Sequence, residues 1–202
     1  MNLRQILATK GIHYLVTRFG WGKLRGLAFD EKYQRGDWNF RSEGKSELSD
    51  VVTRYLRKGD LLIMGCGGAA ILEGLEAAGL NSALGVDLSQ EAIRIAGRFA
   101  STRVAFTVSD METFECLREY DVILFSESLY YVSSNGLVPL LKRLAGRLKP
   151  GGVFVVTFAQ AARYRDILSK IRRNFAVLED RSFSRSDRHL VVFGKTAKRL
   201  DS

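Results

Sequence analysis

Short apolar runs and amphipathic stretches take turns between residues 60 and 175, and that alternation constrains the chain more than any other feature. LLIMG, SALGVD, RVAFTV, DVILF and VFVVTF are brief, rich in branched side chains and closed by glycine or polar residues, which is the signature of buried strands. Between them, QEAIRIAGRFA, METFECLREY, LVPLLKRLAGRLK and ARYRDILSKIRRNF carry apolar positions at helical spacing. Such a repeat predicts an α/β fold, a doubly wound, mostly parallel sheet with helices on both faces, because each parallel pairing needs a crossover. A further helix is predicted over 47–58, capped by Ser46, with Leu48, Val51, Val52, Tyr55 and Leu56 on one side. Residues 175–194 depart from the pattern. They hold two β-rich runs joined by a short polar stretch, which predicts an antiparallel hairpin at the sheet edge. KPGG is expected to be a turn before the fifth strand, and residues 29–46, which have no period, a loop.

The stretch LLIMGCGGAAILEG, residues 61–74, joins the first strand to a helix expected over 69–78. Its glycines read as a turn that leaves the first helical amides unpaired and open to a ligand. Asp87 closes the second strand about 20 residues later, where a carboxylate accepts both hydroxyls of a ribose. Asp110 closes the third and Glu127 the fourth. In doubly wound sheets the ligand sits at these carboxyl ends, where the strand order reverses. Gly65, Gly67 and Ala70 also satisfy the dinucleotide fingerprint, so a nicotinamide enzyme is formally allowed. Against it stand the lack of a second nucleotide half, the lack of a Tyr-x-x-x-Lys pair, and a terminal hairpin where parallel strands should continue.

At 202 residues, 46% hydrophobic and 26% charged, the chain suits one soluble domain. It divides into an N-terminal helix and lid-like loop over 1–46 and a Rossmann-like body over 47–202. Only two cysteines occur, Cys66 and Cys116, so a disulfide framework is not expected and a reducing cytoplasm fits. His13 and His189 are the only histidines, and no metal-ligand spacing exists. No stretch approaches the roughly 20 apolar residues of a membrane span, and no signal peptide opens the chain. The net charge of +9 leaves two readings open. Either the basic residues solvate the surface, or they draw an anionic partner such as a phosphorylated substrate, nucleic acid or lipid headgroups. Residues 1–27, basic and aromatic with little acid, fit either contact with an anionic membrane surface at the inner leaflet or packing on the chain's own domain.

Taken in order, MGCGG, GVDLS, VSDME, YDVILFSESLYYV and LKPGGVFVVTF resemble the class I S-adenosylmethionine-dependent methyltransferases, over roughly residues 47–194. The resemblance implies a seven-stranded sheet with a reversed C-terminal hairpin, and S-adenosyl-L-methionine as cofactor. It places Gly65, Cys66, Gly67 and Gly68 beside the methionyl part, Asp87 on the ribose with Leu88 also in contact, and Asp110 and Met111 at the adenine. Phe125, Ser126 and Glu127 then face the reacting end. Asp87 and Asp110 have the simpler alternative of capping the following helices, although Ser89 suits the first of these better. Two positions depart from the family. Ile63 stands where an acid is usual, and Ala69 stands where the third glycine would be, which keeps a weakened or non-catalytic member among the alternatives.

FDEKYQRGDWNF and FSESLYYV resemble small bacterial methyltransferases that act on carbohydrates, the nodulation-factor N-methyltransferases among them. That resemblance implies a hydroxyl or amine acceptor on a small molecule or glycan, in polysaccharide or glycolipid biosynthesis. Tyr33, Asp37 and Trp38 would form a lid, with Trp38 on the cofactor and Tyr33 and Asp37 toward the acceptor. Tyr130 and Tyr131 would line the acceptor pocket, with Glu127 as base and His13 as second choice. Nucleic-acid methylation is the rival. It lacks an Asn-Pro-Pro-aromatic motif after the fourth strand and a basic run interleaved with aromatics.

Overall fold

The structure, a computed structural model, describes residues 22–36, 46–75, 79–184 and 186–195. Helices α1 (Gly22–Gln34) and α2 (Glu47–Leu56) precede β1 (Asp60–Met64), α3 (Leu72–Leu75), β2 (Ser82–Asp87), α4 (Gln90–Ala96) and β3 (Val104–Val108). Then follow β4 (Tyr120–Ser126), α5 (Leu137–Ala145), β5 (Leu148–Ala159), α6 (Arg165–Asn174), β6 (Ala176–Ser182) and β7 (Arg188–Gly194). The strands form one seven-stranded sheet in the order β3-β2-β1-β4-β5-β7-β6. Pairing is parallel from β3 through β5 and antiparallel where β7 inserts between β5 and β6. The expected hairpin therefore supplies one interior strand and one edge strand.

Side chains alternate across a strand, so each buried strand feeds two cores. Leu62 and Met64 face the layer of α5 and α6 with Ile123, Phe125, Phe154 and Val156, whereas Leu61 and Ile63 face α2 with Val122, Leu124, Val153 and Val155. Helix α2 starts at Ser46 as expected, in a reciprocal capping box with Ser49, and buries Leu48, Val51, Val52 and Leu56.

Four local expectations are corrected. Residues 29–34 belong to α1 and are not loop, because Phe29 and Tyr33, one turn apart, are buried together with Ala28. Among the described residues of 69–78, only Leu72–Leu75 is helical. METFECLREY forms no helix: Arg143 Nη2 binds the carbonyls of Met111, Glu112 and Phe114, acceptors that a helix would have used internally. KPGG is not a turn ahead of β5 but lies within its start, where β5 bulges: Leu148 pairs with Tyr120 and Val153 with Val122. Gly151 there has φ +76°, and a Cβ on Gly152 would lie 2.9 Å from the Tyr120 carbonyl oxygen.

Lys149 explains why that segment stays in the sheet. Its Nζ donates to Asp60 Oδ2 at 2.6 Å and to Asp121 Oδ2 at 2.7 Å, tying the amino ends of β1, β4 and β5 together. Asp60 also accepts from Ser82 Oγ at 2.6 Å and Asn81 Nδ2 at 2.7 Å. Burial works to raise the Asp60 pKa, but the bonds from Lys149, Ser82 and Asn81 outweigh it and hold the carboxyl below its usual range. A lowered carboxyl pKa stabilises the fold above the unfolded value near ~3.9 and ceases to do so as pH falls through the folded value. Lys149→Met should therefore cost about 1–2 kcal/mol at pH 7, discounted for the partial exposure of Lys149, with a gap to the parent that closes in acid. Urea unfolding at both pH values measures this, and coincident curves at pH 7 would show the staple to be inert.

Candidate functional site

The strand order reverses between β1 and β4, and the turn after β1 lies at that point. Gly65 has φ +68°, and a Cβ there would lie 2.5 Å from Ser128 Cβ. Ser128 in turn donates from Oγ to the Met64 carbonyl at 2.6 Å, holding the segment after β4 against the end of β1. The amides of Gly65 and Cys66 both donate to the Val86 carbonyl, at 2.8 and 3.0 Å, and the Gly67 amide donates to Asp87 Oδ2 at 2.8 Å. These three donors are paired, whereas the amides of Gly68, Ala70 and Ile71, nearer the helix, make no hydrogen bond among the described residues, as the sequence reading of open amides expected. Glycine also serves close approach here. Gly67 has φ +53°, and a Cβ on it would sit 2.6 Å from the Tyr33 hydroxyl oxygen.

Asp87 spans two amides, with Oδ1 accepting from Ser89 N at 2.9 Å and Oδ2 from Gly67 N. Burial pushes its carboxyl above the ordinary range while those amides pull the other way. Helix α4 is capped by Ser89, as the sequence favoured: Ser89 Oγ accepts from Ala92 N at 3.0 Å and donates to Asp30 Oδ1 at 2.6 Å. Leu88 meets α1, with its carbonyl oxygen 3.1 Å from where a Cβ on Gly26 would lie. Asp110 Oδ1 accepts from Glu112 N at 2.9 Å, and the Met111 methyl lies 3.3 Å from the Cβ position of Gly65.

At the end of β4, Glu127 has φ +54°, a left-handed conformation uncommon for its type. Its Oε2 accepts from the Ala159 amide at 2.5 Å, while Oε1 is buried without a hydrogen-bond partner. Burial raises its pKa, against the lowering effects of the Ala159 amide and of the nearby Thr157 hydroxyl, which stands beside the carboxylate without hydrogen-bond geometry. Tyr130 stacks on Tyr164 with centroids 4.6 Å apart and touches Tyr131 at 4.7 Å, and Tyr131 meets Phe29 edge-on at 5.2 Å. These rings form a wall that runs from α1 to the segment after β5. The buried side-chain polar atoms without a partner, among the described residues, are Arg25 Nε, Glu127 Oε1 and Thr157 Oγ1, all at this carboxyl-terminal edge.

The structure brings Gly65, Gly67, Asp87, Asp110, Met111, Glu127, Tyr33, Tyr130 and Tyr131 to one edge of the sheet. Gly68 turns toward α4, where a Cβ on it would lie 3.1 Å from Ile95 Cγ2. Ser126 pairs with Thr157 in the sheet, and Phe125 and Cys66 have buried side chains in the cores, so both present backbone to the turn. His13, Asp37 and Trp38 lie outside the described residues. Sequence reasoning missed Arg25, Phe29 and Asp30 on α1. The signal was the spacing of Arg25, Phe29 and Tyr33 by four, which puts all three on one helical face.

Residues 61–152 match the family described as a methyltransferase domain. The chain has the class I methyltransferase fold. Solved structures share its architecture. The N-methyltransferase NodS from Bradyrhizobium japonicum WM9, in complex with S-adenosyl-L-homocysteine, is similar at a TM-score of 0.62 and 17% identity, covering 96% of this chain and 97% of that one. A TehB-like S-adenosylmethionine-dependent methyltransferase from Corynebacterium glutamicum gives 0.64 at 21% identity, over 83% of this chain and 98% of that one. The glycopeptide N-methyltransferase MtfA complexed with sinefungin gives 0.65 at 16%, over 78% and 88%.

In this fold the Gly67 position is testable by itself. Gly67→Ala places a side chain at positive φ against Tyr33, and should destabilise the protein by about 1–2 kcal/mol from backbone conformation alone. A steric share against the Tyr33 hydroxyl should be partly relieved in the Tyr33→Phe background. A double-mutant cycle by urea unfolding would read this as non-additivity, and strict additivity would show that the two groups do not meet.

Proposed function

We propose that this protein transfers a methyl group from S-adenosylmethionine to an amine or hydroxyl of a small molecule or glycan. The observation that carries the reading is the pairing, across the β1/β4 switch point, of a glycine turn closed by Asp87 with the buried carboxylate of Glu127. The turn fits the cofactor in chemistry: Gly65 and Gly67 let the backbone come close, and Asp87 is a carboxylate acceptor for a ribose diol. When bound, the cofactor supplies an electrophilic methyl on a sulfonium, which leaves as sulfur takes the electron pair. The chain then has to align the acceptor, exclude water and take one proton. The Tyr130, Tyr131 and Tyr164 wall supplies flat apolar faces that suit a sugar or an amine-bearing group. Glu127, with one oxygen fixed by the Ala159 amide and the other unpaired, is the base in this reading.

Two of the similar solved structures are N-methyltransferases, which supports an amine among the acceptors. Work on cytoplasmic polysaccharide or glycolipid precursors fits the resemblance of FDEKYQRGDWNF. The basic segment 1–27 supports peripheral contact with anionic lipid, and no helix among the described residues is long and apolar enough to cross a membrane.

Glu127→Gln preserves shape but cannot accept a proton, so turnover should fall roughly 10²–10⁴-fold while S-adenosylhomocysteine affinity stays within a few-fold. The acid limb of the parent's kcat/KM profile should lie above the ordinary Glu value near ~4.3, since burial raises the Glu127 pKa and only the ionised form is a base. A variant as active as the parent would remove Glu127 from the chemistry.

A further inference from the structure

Helix α1 reaches the ends of four strands. Tyr33 lies over the turn after β1, Asp30 binds Ser89 Oγ and Glu91 N after β2, and Arg25 bridges the ends of β3 and β4. Arg25 Nη2 donates to the Tyr131 carbonyl at 2.8 Å, while Nη1 stands 3.5 Å from Asp110 Oδ2 and 3.9 Å from Glu112 Oε1. Its side chain is 11% exposed, yet its Nε is buried with no partner. An unpaired donor on a buried cation is costly, and a guanidinium usually fills its fork. Nε and Nη2 share one edge of the guanidinium. An acceptor completing Nε would therefore sit beside the Tyr131 carbonyl, against α1 and above Asp110.

We propose that Arg25 is a cofactor-contacting residue whose free Nε–H is completed by an acceptor atom of the nucleoside half of the cofactor, locking α1 over the occupied site. The assignment rests on the cofactor reading above and adds a residue outside the matched domain, since residues 61–152 do not include α1. Its chemistry is simple: a planar cation donates one more hydrogen bond to a purine nitrogen or ribose oxygen, and no covalent step is involved. The consequence is reciprocal. A ligand that binds Arg25 stabilises the closed α1, and a closed α1 retains the ligand.

Arg25→Lys keeps the charge but loses the fork, and Arg25→Met removes both. Calorimetry with S-adenosylhomocysteine and with 5′-methylthioadenosine, which lacks the amino-acid tail, should show both ligands weakened about 10-fold by Arg25→Lys. Hydrogen exchange across α1 should slow on adding S-adenosylhomocysteine to the parent, and slow much less in the variant. A residue that only braces the apo fold would lower its melting temperature without changing either dissociation constant, and that result overturns the proposal. So does a loss confined to S-adenosylhomocysteine, which would move the contact to the amino-acid half. Should Arg25→Met fail to fold, Arg25→Lys still decides. A parent that binds neither ligand would overturn the cofactor reading itself, an outcome distinct from binding that is insensitive to Arg25.

Discussion

Between β1 and β4 the chain leaves the sheet toward opposite sides, and the gap this opens is what every functional feature depends on. The gap is bounded by backbone contacts so close that side chains are excluded. Ser128 Oγ on the Met64 carbonyl and the bare Cα of Gly65 draw the two segments together. Asp87 then fixes the turn from the β2 side through the Gly67 amide. Remove any of these and the turn loses its shape before any ligand arrives, so binding and local folding share the same hydrogen bonds.

The sheet was legible because buried parallel strands are nearly continuous apolar runs, and its parallel body and antiparallel end followed from the crossovers and from the hairpin of residues 175–194. The glycine turn, Asp87 and Glu127 were legible for a related reason: a polar or glycine residue at a strand end interrupts a strong pattern. What local pattern did not reveal was set by distant partners. METFECLREY looks helical by itself, and only the reach of Arg143 to its carbonyls shows why it is not. KPGG reads as a turn until Lys149 is seen between two aspartates from other strands. In α1 the buried face is narrow and glycines and charges surround it, so its period was lost although Arg25, Phe29 and Tyr33 share one side.

Charge is unevenly informative in this protein. Many basic groups are exposed and bound to nearby acids, such as Arg94 to Glu91 and Arg172 to Asp180, and pairs of this kind contribute little. Arg25 and Lys149 differ by being set within the fold. One sits at the ligand end of the sheet and the other at the opposite end, so a net charge of +9 conceals two cations with separate jobs.

The staple of Asp60, Asp121 and Lys149 lies as far from the proposed chemistry as the sheet allows. With the amino ends of β1, β4 and β5 held there, the loops at the other end carry little of the burden of keeping the strands in register. Such a scaffold can have its acceptor wall rewritten, ring by ring along Tyr130, Tyr131 and Tyr164, while the sheet beneath stays the same. One architecture can persist at less than a fifth sequence identity, as it does between this chain and NodS at 17%.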